Sequence, residues 1–224
     1  MLLAIDTATQ FVSLALHDGR LVRAEQTWFS ANNHTVELAP AVLAVLAQVG
    51  VGIGDLTALA VSVGPGSYTG LRIGVALAKG IAAGRRLPLV GVGTLDILAS
   101  AQPQFQGGLI ATAQAGRGRV IAATYQWRKG HWKLRHDPES MRWDELIASI
   151  DGPALVTGEI SEDGLKALDD ARFNGTPVTI APPAQRLRRA GFLAEEAWSR
   201  LREEKSDFPA AAVAPVYVKT KDIP

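Results

Sequence analysis

The sequence contains no cysteine among its 224 residues. Disulfide bonds, thiolate metal sites and a thiol nucleophile are therefore excluded, and a reducing compartment is favoured. The beginning of the chain lacks a basic segment and reaches a carboxylate at Asp6, which is not typical of a signal peptide. We therefore predict a cytoplasmic protein that does not associate with membranes.

The sequence also lacks a large excess of charge of either sign. It has 23 Lys and Arg against 22 Asp and Glu, a net charge of +1, so any site for a polyanion has to be local. The histidines are few and scattered, at His17, His34, His131 and His136. No two of them have the spacing of a helical metal motif, so we predict no metal site and no catalytic residue. His34 is predicted to begin a helix rather than to act as a base.

Apolar runs alternate with helical patterns along most of the chain. Hydrophobic residues make up 47% of it, enough for a sizeable core. Asp18-Gly19 between two apolar runs predicts a β-hairpin, and a charged helix is predicted from Gln185 to Lys205, followed by an extended tail ending at Lys219. No internal repeat is visible. The pattern predicts an α/β protein with a mixed sheet and two domains, 1–102 and 103–224.

Two segments have residues suited to binding a phosphate. Asp6, Thr7 and Thr9 follow the first predicted strand. A glycine-rich loop at 64–70, with Gly64, Gly66 and Ser67, joins a predicted strand to a helix, and amides at a helix start can bind an anion. The alternative is that both segments are tight turns, in which Asp and Thr cap their own backbone amides.

The stretch from Phe29 to Gly84 is depleted of charge. Its 56 residues include four charged ones, whereas the chain average of 20% predicts about 11. Both predicted helices in it are apolar on nearly all sides, which indicates burial on two faces. One of them carries a row of small residues, Gly70, Gly74, Ala78 and Ala82. Such a row lets another helix approach closely, so we predict a protein interface here; the alternative is a cover supplied by the second part of the chain.

Residues 117–136 form a basic predicted hairpin without an acidic residue. Aromatic side chains lie between its basic ones. Such a hairpin can bind RNA through phosphate contacts and base stacking; the alternative is a solvated hairpin whose aromatic residues face the core. The basic and aromatic residues are Arg117, Arg119, Tyr125, Trp127, Arg128, Lys129, Trp132, Lys133 and Arg135.

Several motifs together resemble the TsaB (YeaZ) family of the bacterial tRNA threonylcarbamoyladenosine machinery. The likeness is dense over residues 1–100 and is carried by Ile5-Asp6-Thr7-Ala8-Thr9, His34 with Glu37-Leu38, the run from Gly64 to Gly74, and Pro88 to Val92. The chain departs from the family pattern at Val36, where glutamate is expected, and at Gln114, where aspartate is expected.

The resemblance implies an actin-like ATPase (ASKHA, ribonuclease H-like) fold and a non-catalytic role. A family member pairs through its two charge-poor helices with the catalytic subunit TsaD, whose paired-histidine metal motif is absent here. The ATPase TsaE joins the assembly, which modifies the adenosine beside the anticodon. The chain would form a homodimer when isolated and reach tRNA only through the complex. Glu37, Leu38 and Arg72 complete the predicted interface. No cofactor is predicted, with ATP or ADP at the interface as a candidate.

Two other functions stay open. One is a nucleotide-dependent enzyme, an acyl- or phosphotransferase or a glycoprotease-like peptidase, using Asp6 and the loop 64–70. The other is an RNA-binding module that uses the hairpin 117–136.

Overall fold

The computed structural model describes residues 1–31, 33–204 and 206–218. Lys205 and Lys219, the predicted ends of the charged helix and of the tail, lie outside the described residues. No helix in the described ranges is long and apolar enough to cross a membrane.

The described chain divides into two units. Unit 1 combines Met1–Ile97 with Arg189–Val216, and unit 2 contains Leu98–Arg188 with Tyr217 and Val218. The predicted division into 1–102 and 103–224 differs from this one for the segment 189–216, which belongs to unit 1.

Unit 1 contains a five-stranded mixed sheet with the order β3-β2-β1-β4-β5. Its strands are β1 (Leu2–Asp6), β2 (Phe11–His17), β3 (Val22–Phe29), β4 (Ala58–Gly64) and β5 (Leu89–Gly93). β1, β2 and β3 are antiparallel, and β4 and β5 run parallel to β1. The Asp18-Gly19 turn joins β2 to β3, as predicted. β1 is buried along its whole length, because both faces of the sheet are covered.

Two long helices cover one face of this sheet. They are α1 (His34–Gln48) and α2 (Tyr68–Arg85), and α3 (Thr94–Ser100) follows β5. Apolar side chains of α1 and α2, among them Leu38, Val45 and Val75, pack with Leu3 and Ile5 of β1 in one core cluster. Burial of apolar area of this kind is the main stabilising contribution to the unit.

Unit 2 repeats this architecture. Its strands are β6 (Gly108–Gln114), β7 (Val120–Arg128), β8 (His131–Met141), β9 (Ala154–Gly158) and β10 (Val178–Ile180), and its helices are α4 (Trp143–Ala148) and α5 (Glu162–Phe173). The strand order β8-β7-β6-β9-β10 has the same pairing directions as the first sheet. Two mixed sheets of this kind make up the actin-like ATPase (ASKHA, ribonuclease H-like) fold that was predicted.

Local details repeat as well. Ser67 caps α2 by accepting a hydrogen bond from the Gly70 amide, and Ser161 caps α5 by accepting one from the Gly164 amide. Strand order and helix caps thus recur in the two units although the sequence shows no internal repeat, because different side chains can form the same arrangement of strands.

The last helix, α6 (Ala190–Glu203), covers the second face of the sheet in unit 1. Its buried residues Leu193, Ala194 and Ala197 pack with Leu2 and Ala15 of that sheet. This packing is the physical reason that the predicted division differs for this segment: the apolar stripe of α6 predicts burial but does not identify the sheet on which the helix lies.

Candidate functional site

Two loops of unit 1 meet at one edge of the sheet. β1 and β4 are adjacent and parallel, so the loops that follow them lie side by side. The Ser67 amide donates a hydrogen bond to the Ala8 carbonyl oxygen at 2.6 Å, and the Thr7 hydroxyl donates one to the Gly70 carbonyl oxygen at 2.8 Å. The structure thus brings together the two segments that were predicted to bind a phosphate.

The polar groups of the first loop are engaged within the chain. Asp6 is fully buried, and its carboxylate accepts a hydrogen bond from the Ala8 amide at 2.9 Å. The Thr9 hydroxyl accepts a bond from the Phe11 amide, and His34, the first residue of α1 as predicted, donates from Nε2 to the Thr9 carbonyl oxygen at 2.8 Å. This is the capping turn that the sequence left open as the alternative.

The glycines of the second loop allow the two backbones to approach closely. A β-carbon at Gly66 would overlap the Ala8 carbonyl oxygen. Gly64 has a φ of +116°, a backbone conformation that residues with a side chain rarely adopt. The loop therefore needs glycine for its packing against the Asp6–Thr9 turn.

The small-residue row of α2 faces inward, so its prediction as an exposed interface is wrong. Gly70, Gly74, Ala78 and Ala82 are all buried. A β-carbon at Gly70 would overlap the Thr7 carbonyl oxygen, and one at Gly74 would overlap the Thr7 hydroxyl. The row is small because α2 crosses the end of β1 at short range.

The other predicted interface residues have mixed positions. Leu38 belongs to the core at 2% exposure, so its prediction as a contact residue is also wrong. Its side chain lies on the face of α1 that packs on the sheet. Arg72 is exposed and Glu37 is half-buried. The predicted interface residues thus lie on two neighbouring helices, but most of them are on the buried faces of those helices.

The outward faces of α1 and α2 form an exposed apolar surface, which we call the α1–α2 surface. The two helices pack side by side. Val36 is 74% exposed and Leu43 is 57% exposed. The exposed residues of this surface are Thr35, Val36, Ala39, Pro40, Leu43, Ala44, Ala47 and Gln48 of α1, and Tyr68, Thr69, Arg72, Ala76, Gly80, Ala83, Gly84 and Arg85 of α2.

The exposed charges of α2 are Arg72, near its start, and Arg85, its last residue. The Arg72 guanidinium lies 4.9 Å from the centre of the Tyr68 ring, a cation–π contact near the start of the helix. Lys79 turns away from the surface, since its ammonium donates to the carbonyl oxygens of Val213 and Ala211 at 2.9 and 3.3 Å. The middle of the α1–α2 surface therefore carries no exposed charge.

Glu37 connects α1 to the neighbouring strand. The Trp28 indole donates a hydrogen bond to its carboxylate at 2.9 Å. This bond, with smaller contributions from other donors, lowers the pKa of Glu37 from its ordinary value of 4.5. The carboxylate is thereby held in its charged form beside the α1–α2 surface.

The basic hairpin of unit 2 differs from its prediction in one respect. Tyr125 and Trp132 are buried, and the Trp127 ring lies edge-on to Trp132 with the ring centres 5.3 Å apart. Tyr125 and Trp132 therefore offer no face for base stacking, whereas Trp127 is partly exposed. Within the described ranges, no group of three or more His, Asp and Glu side chains is arranged to hold a metal ion.

Known relatives match the chain, one of them over nearly its whole length. The tRNA threonylcarbamoyladenosine biosynthesis protein TsaB of Bacillus subtilis is 31% identical over 221 residues, covering 97% of this chain and 93% of the relative. The chain belongs to the TsaB family. It is thus a protein of tRNA threonylcarbamoyladenosine biosynthesis. The TsaB of Escherichia coli is 39% identical over 127 residues, which cover 56% of this chain and 54% of that protein.

A solved structure and a second family model also match the chain. YeaZ from Pseudomonas aeruginosa superposes with a TM-score of 0.75 at 25% identity, covering 96% of this chain and 99% of that one. The family model of TsaD, tRNA N6-adenosine threonylcarbamoyltransferase, matches residues 28–147. This chain is therefore related in sequence to TsaD over the region that contains α1 and α2.

Proposed function

We propose that the chain is a non-catalytic subunit that binds a TsaD-type catalytic subunit through the α1–α2 surface. In this role it supports transfer of a threonylcarbamoyl group to the adenosine beside the anticodon of tRNA. The observation that carries the proposal is the exposure of Val36 and Leu43 in a region without exposed charge. A helix face in contact with water normally carries polar residues, and a continuous apolar patch marks an interaction site.

The composition of the surface suits a helical partner. Ala76, Gly80 and Ala83 are small and exposed on α2, so a partner helix can approach its backbone closely. Complete burial of Val36 and Leu43 would contribute about 1.5–3 kcal/mol each. Tyr68 and Arg72 at the edge are of the residue types that dominate binding energy at protein interfaces.

The non-catalytic part of the proposal is supported by the loop contacts of unit 1. Asp6 is committed to the Ala8 amide and Thr7 to the Gly70 carbonyl. Among the described residues, no group of three or more His, Asp and Glu side chains is arranged to hold a metal ion. A nucleotide-dependent enzyme using Asp6 and the loop 64–70 is therefore the weaker candidate. Micromolar binding of ATP by the isolated chain would favour that enzyme.

Further partners follow from the same assignment. We propose that a TsaE-type ATPase joins the complex, that ATP or ADP binds at the partner interface, and that tRNA is modified only by the assembled complex. When the catalytic subunit is absent, a second copy of the chain is expected to cover the α1–α2 surface, because the same apolar area would otherwise stay in water.

The test is a titration of the chain with the catalytic subunit of its own organism. Leu43→Glu places a carboxylate in the middle of the α1–α2 surface. The matched control is Leu21→Glu, in the turn between β2 and β3, where Leu21 is 61% exposed. We expect Leu43→Glu to weaken binding about 100-fold, which is about 2.7 kcal/mol, since an apolar contact is lost and a charge is desolvated.

The control should bind within a factor of about 2 of the unchanged chain, because surface substitutions away from contacts have small effects. Both variants should melt like the unchanged chain, since both leucines are exposed. Equal affinities of the two variants would refute the assignment of the interface. Absence of any binding by the unchanged chain would refute the subunit role.

A further inference from the structure

The far end of the β7–β8 hairpin carries a cluster of cations. The chain turns at Lys129 and Gly130, which have φ values of +53° and +84°. Arg128 precedes the turn, and Lys133 and Arg135 follow it, all three exposed. Together with Gln126 and Leu134 they line an open groove of about 640 Å³, which we call the distal groove.

The strand pairing explains why these side chains lie together. Gln126 is paired with Lys133 across the two strands, and Arg128 is paired with His131. The pairing is interrupted between Thr124 and Tyr125, so that Arg135 joins the same groove. Arg117 and Arg119, which the sequence grouped with this cluster, lie at the opposite end of β7, where Arg119 donates to the Ser140 carbonyl oxygen at 2.9 Å.

The cations of the distal groove have no acidic partner among the described residues. Arg128, Lys133 and Arg135 take part in none of the ion pairs there. Elsewhere in unit 2 arginines are paired, Arg142 with Asp144 and Arg172 with Asp169. No acidic residue occurs from 117 to 136. Three unpaired cations around one groove form a local positive field in a chain whose net charge is +1.

The chemistry of the groove favours phosphate over bases. No aromatic residue lines the groove, and Tyr125 and Trp132 are buried, with the Trp132 indole donating to the Gln102 carbonyl oxygen at 3.2 Å. The groove therefore offers guanidinium and ammonium groups without a stacking platform. Arginine and lysine of this kind contact phosphate oxygens and fix position without reading sequence.

We propose that the distal groove binds the phosphate backbone of RNA, so that this chain contributes directly to holding tRNA. The inference rests on the proposed function, because RNA is the polyanion on which that complex works. The contact is expected to be independent of sequence and steeply dependent on salt, because it replaces counterions on the phosphates.

The test is filter binding of the full chain to an unmodified tRNA transcript between about 50 and 200 mM salt. The variant is Arg128→Gln, Lys133→Gln and Arg135→Gln combined. The control, with the same change of charge, is Arg20→Gln, Lys166→Gln and Arg172→Gln combined, which removes exposed cations outside the hairpin. For the groove variant we expect affinity to fall about 10- to 100-fold at the lowest salt and the slope of log K against log salt to fall by about 2.

The control should keep both the affinity and the slope of the unchanged chain. No binding of the unchanged chain at low salt, or an equal loss in both variants, would overturn the inference. Binding to vesicles containing phosphatidylglycerol in place of RNA would overturn it as well. Because the hairpin lies outside the α1–α2 surface, the groove variant should bind the catalytic subunit normally, so failure of the RNA contact and failure of the subunit role are read separately.

If the triple variant melts at a lower temperature than the unchanged chain, the single variant Arg135→Gln replaces it in the same binding measurement. It should lower the slope by about 0.7–0.9, the value for one phosphate contact.

Discussion

The two units have the same strand order but different exteriors. In unit 1, α2 has 18 residues, of which Arg72, Lys79 and Arg85 are charged. In unit 2, the corresponding helix α5 has 12 residues, of which six are charged. Both helices begin with a capping serine and follow the fourth strand of their sheet. The architecture therefore does not require an apolar outer face, and the apolar face of α2 calls for a separate explanation, for which we propose a bound partner.

The first hairpins of the two units differ in a similar way. β1 ends at Asp6, whose carboxylate caps the turn by accepting from the Ala8 amide. β6 ends at Gln114, whose backbone amide instead donates to the Glu159 carboxylate at 3.1 Å. In each unit a backbone amide at the end of the central strand thus donates a hydrogen bond to a carboxylate. The carboxylate belongs to the strand itself in unit 1 and to the segment after β9 in unit 2. A structural use of Asp6 explains why a carboxylate in this turn does not by itself indicate catalysis.

The largest effect on stability is expected from a substitution at the inner face of α2. Gly74→Leu places a side chain against the Thr7 hydroxyl. Overpacking there should cost about 3 kcal/mol or more, which lowers the melting temperature by roughly 6–12 °C in a chain of this size. Thermal melting followed by circular dichroism measures the change.

The matched control is Gly80→Leu on the outer face of the same helix, where an added β-carbon meets nothing within 4 Å. Leucine forms helix better than glycine by about 1 kcal/mol, so this variant should melt no lower than the unchanged chain while it weakens partner binding. Equal melting of the two variants would contradict the inward orientation of the small-residue row.

The smallest effect on the melting temperature is expected for Glu37 in α1. Its pKa is lowered by a different kind of donor from the one that lowers the pKa of Asp144 in α4. The pKa of Glu37 is lowered mainly by the Trp28 indole, and the pKa of Asp144 in α4 is lowered mainly by Arg142. A lowered pKa stabilises the fold above the unfolded value of 4.5 for Glu37, and this contribution disappears as the pH falls through the folded value. Glu37→Gln should therefore melt slightly lower than the unchanged chain at pH 7, and the difference should shrink as the pH falls below 4.5.

Added salt should affect the stabilising contributions of Glu37 and Asp144 differently. The Asp144 contribution depends on an exposed ion pair with Arg142 and should weaken in concentrated salt, whereas the contribution of Glu37 depends on a neutral donor and should persist. Melting curves of Glu37→Gln and Asp144→Asn with and without added salt measure the difference. An equal response of both variants would refute the assigned causes.

Much of the fold could be predicted from short-range patterns. Asp18-Gly19 predicted its hairpin, and the glycine-rich loop was expected between a strand and a helix. The charge depletion from Phe29 to Gly84 selected α1 and α2. These features are local, since turn geometry and the absence of charge are properties of neighbouring residues.

Long-range packing could not be predicted in the same way. Gly70 and Gly74 are small because Thr7 lies against α2, and contacts across more than 60 residues leave no periodic signal. A small-residue row is equally consistent with a partner helix and with a nearby strand. The repeated strand order was missed for a related reason: Asp6 and Gln114 occupy equivalent positions without chemical similarity.

The central claim is that the partner binds the apolar helices of unit 1 and not the charged helix of unit 2. Photo-crosslinking tests it most directly, with p-benzoylphenylalanine introduced in place of Leu43 on α1 or of Phe173, which is 92% exposed at the end of α5. Irradiation of the complex with the catalytic subunit should give a crosslinked heterodimer from position 43 and none from position 173. A crosslink from position 173 alone would contradict the account.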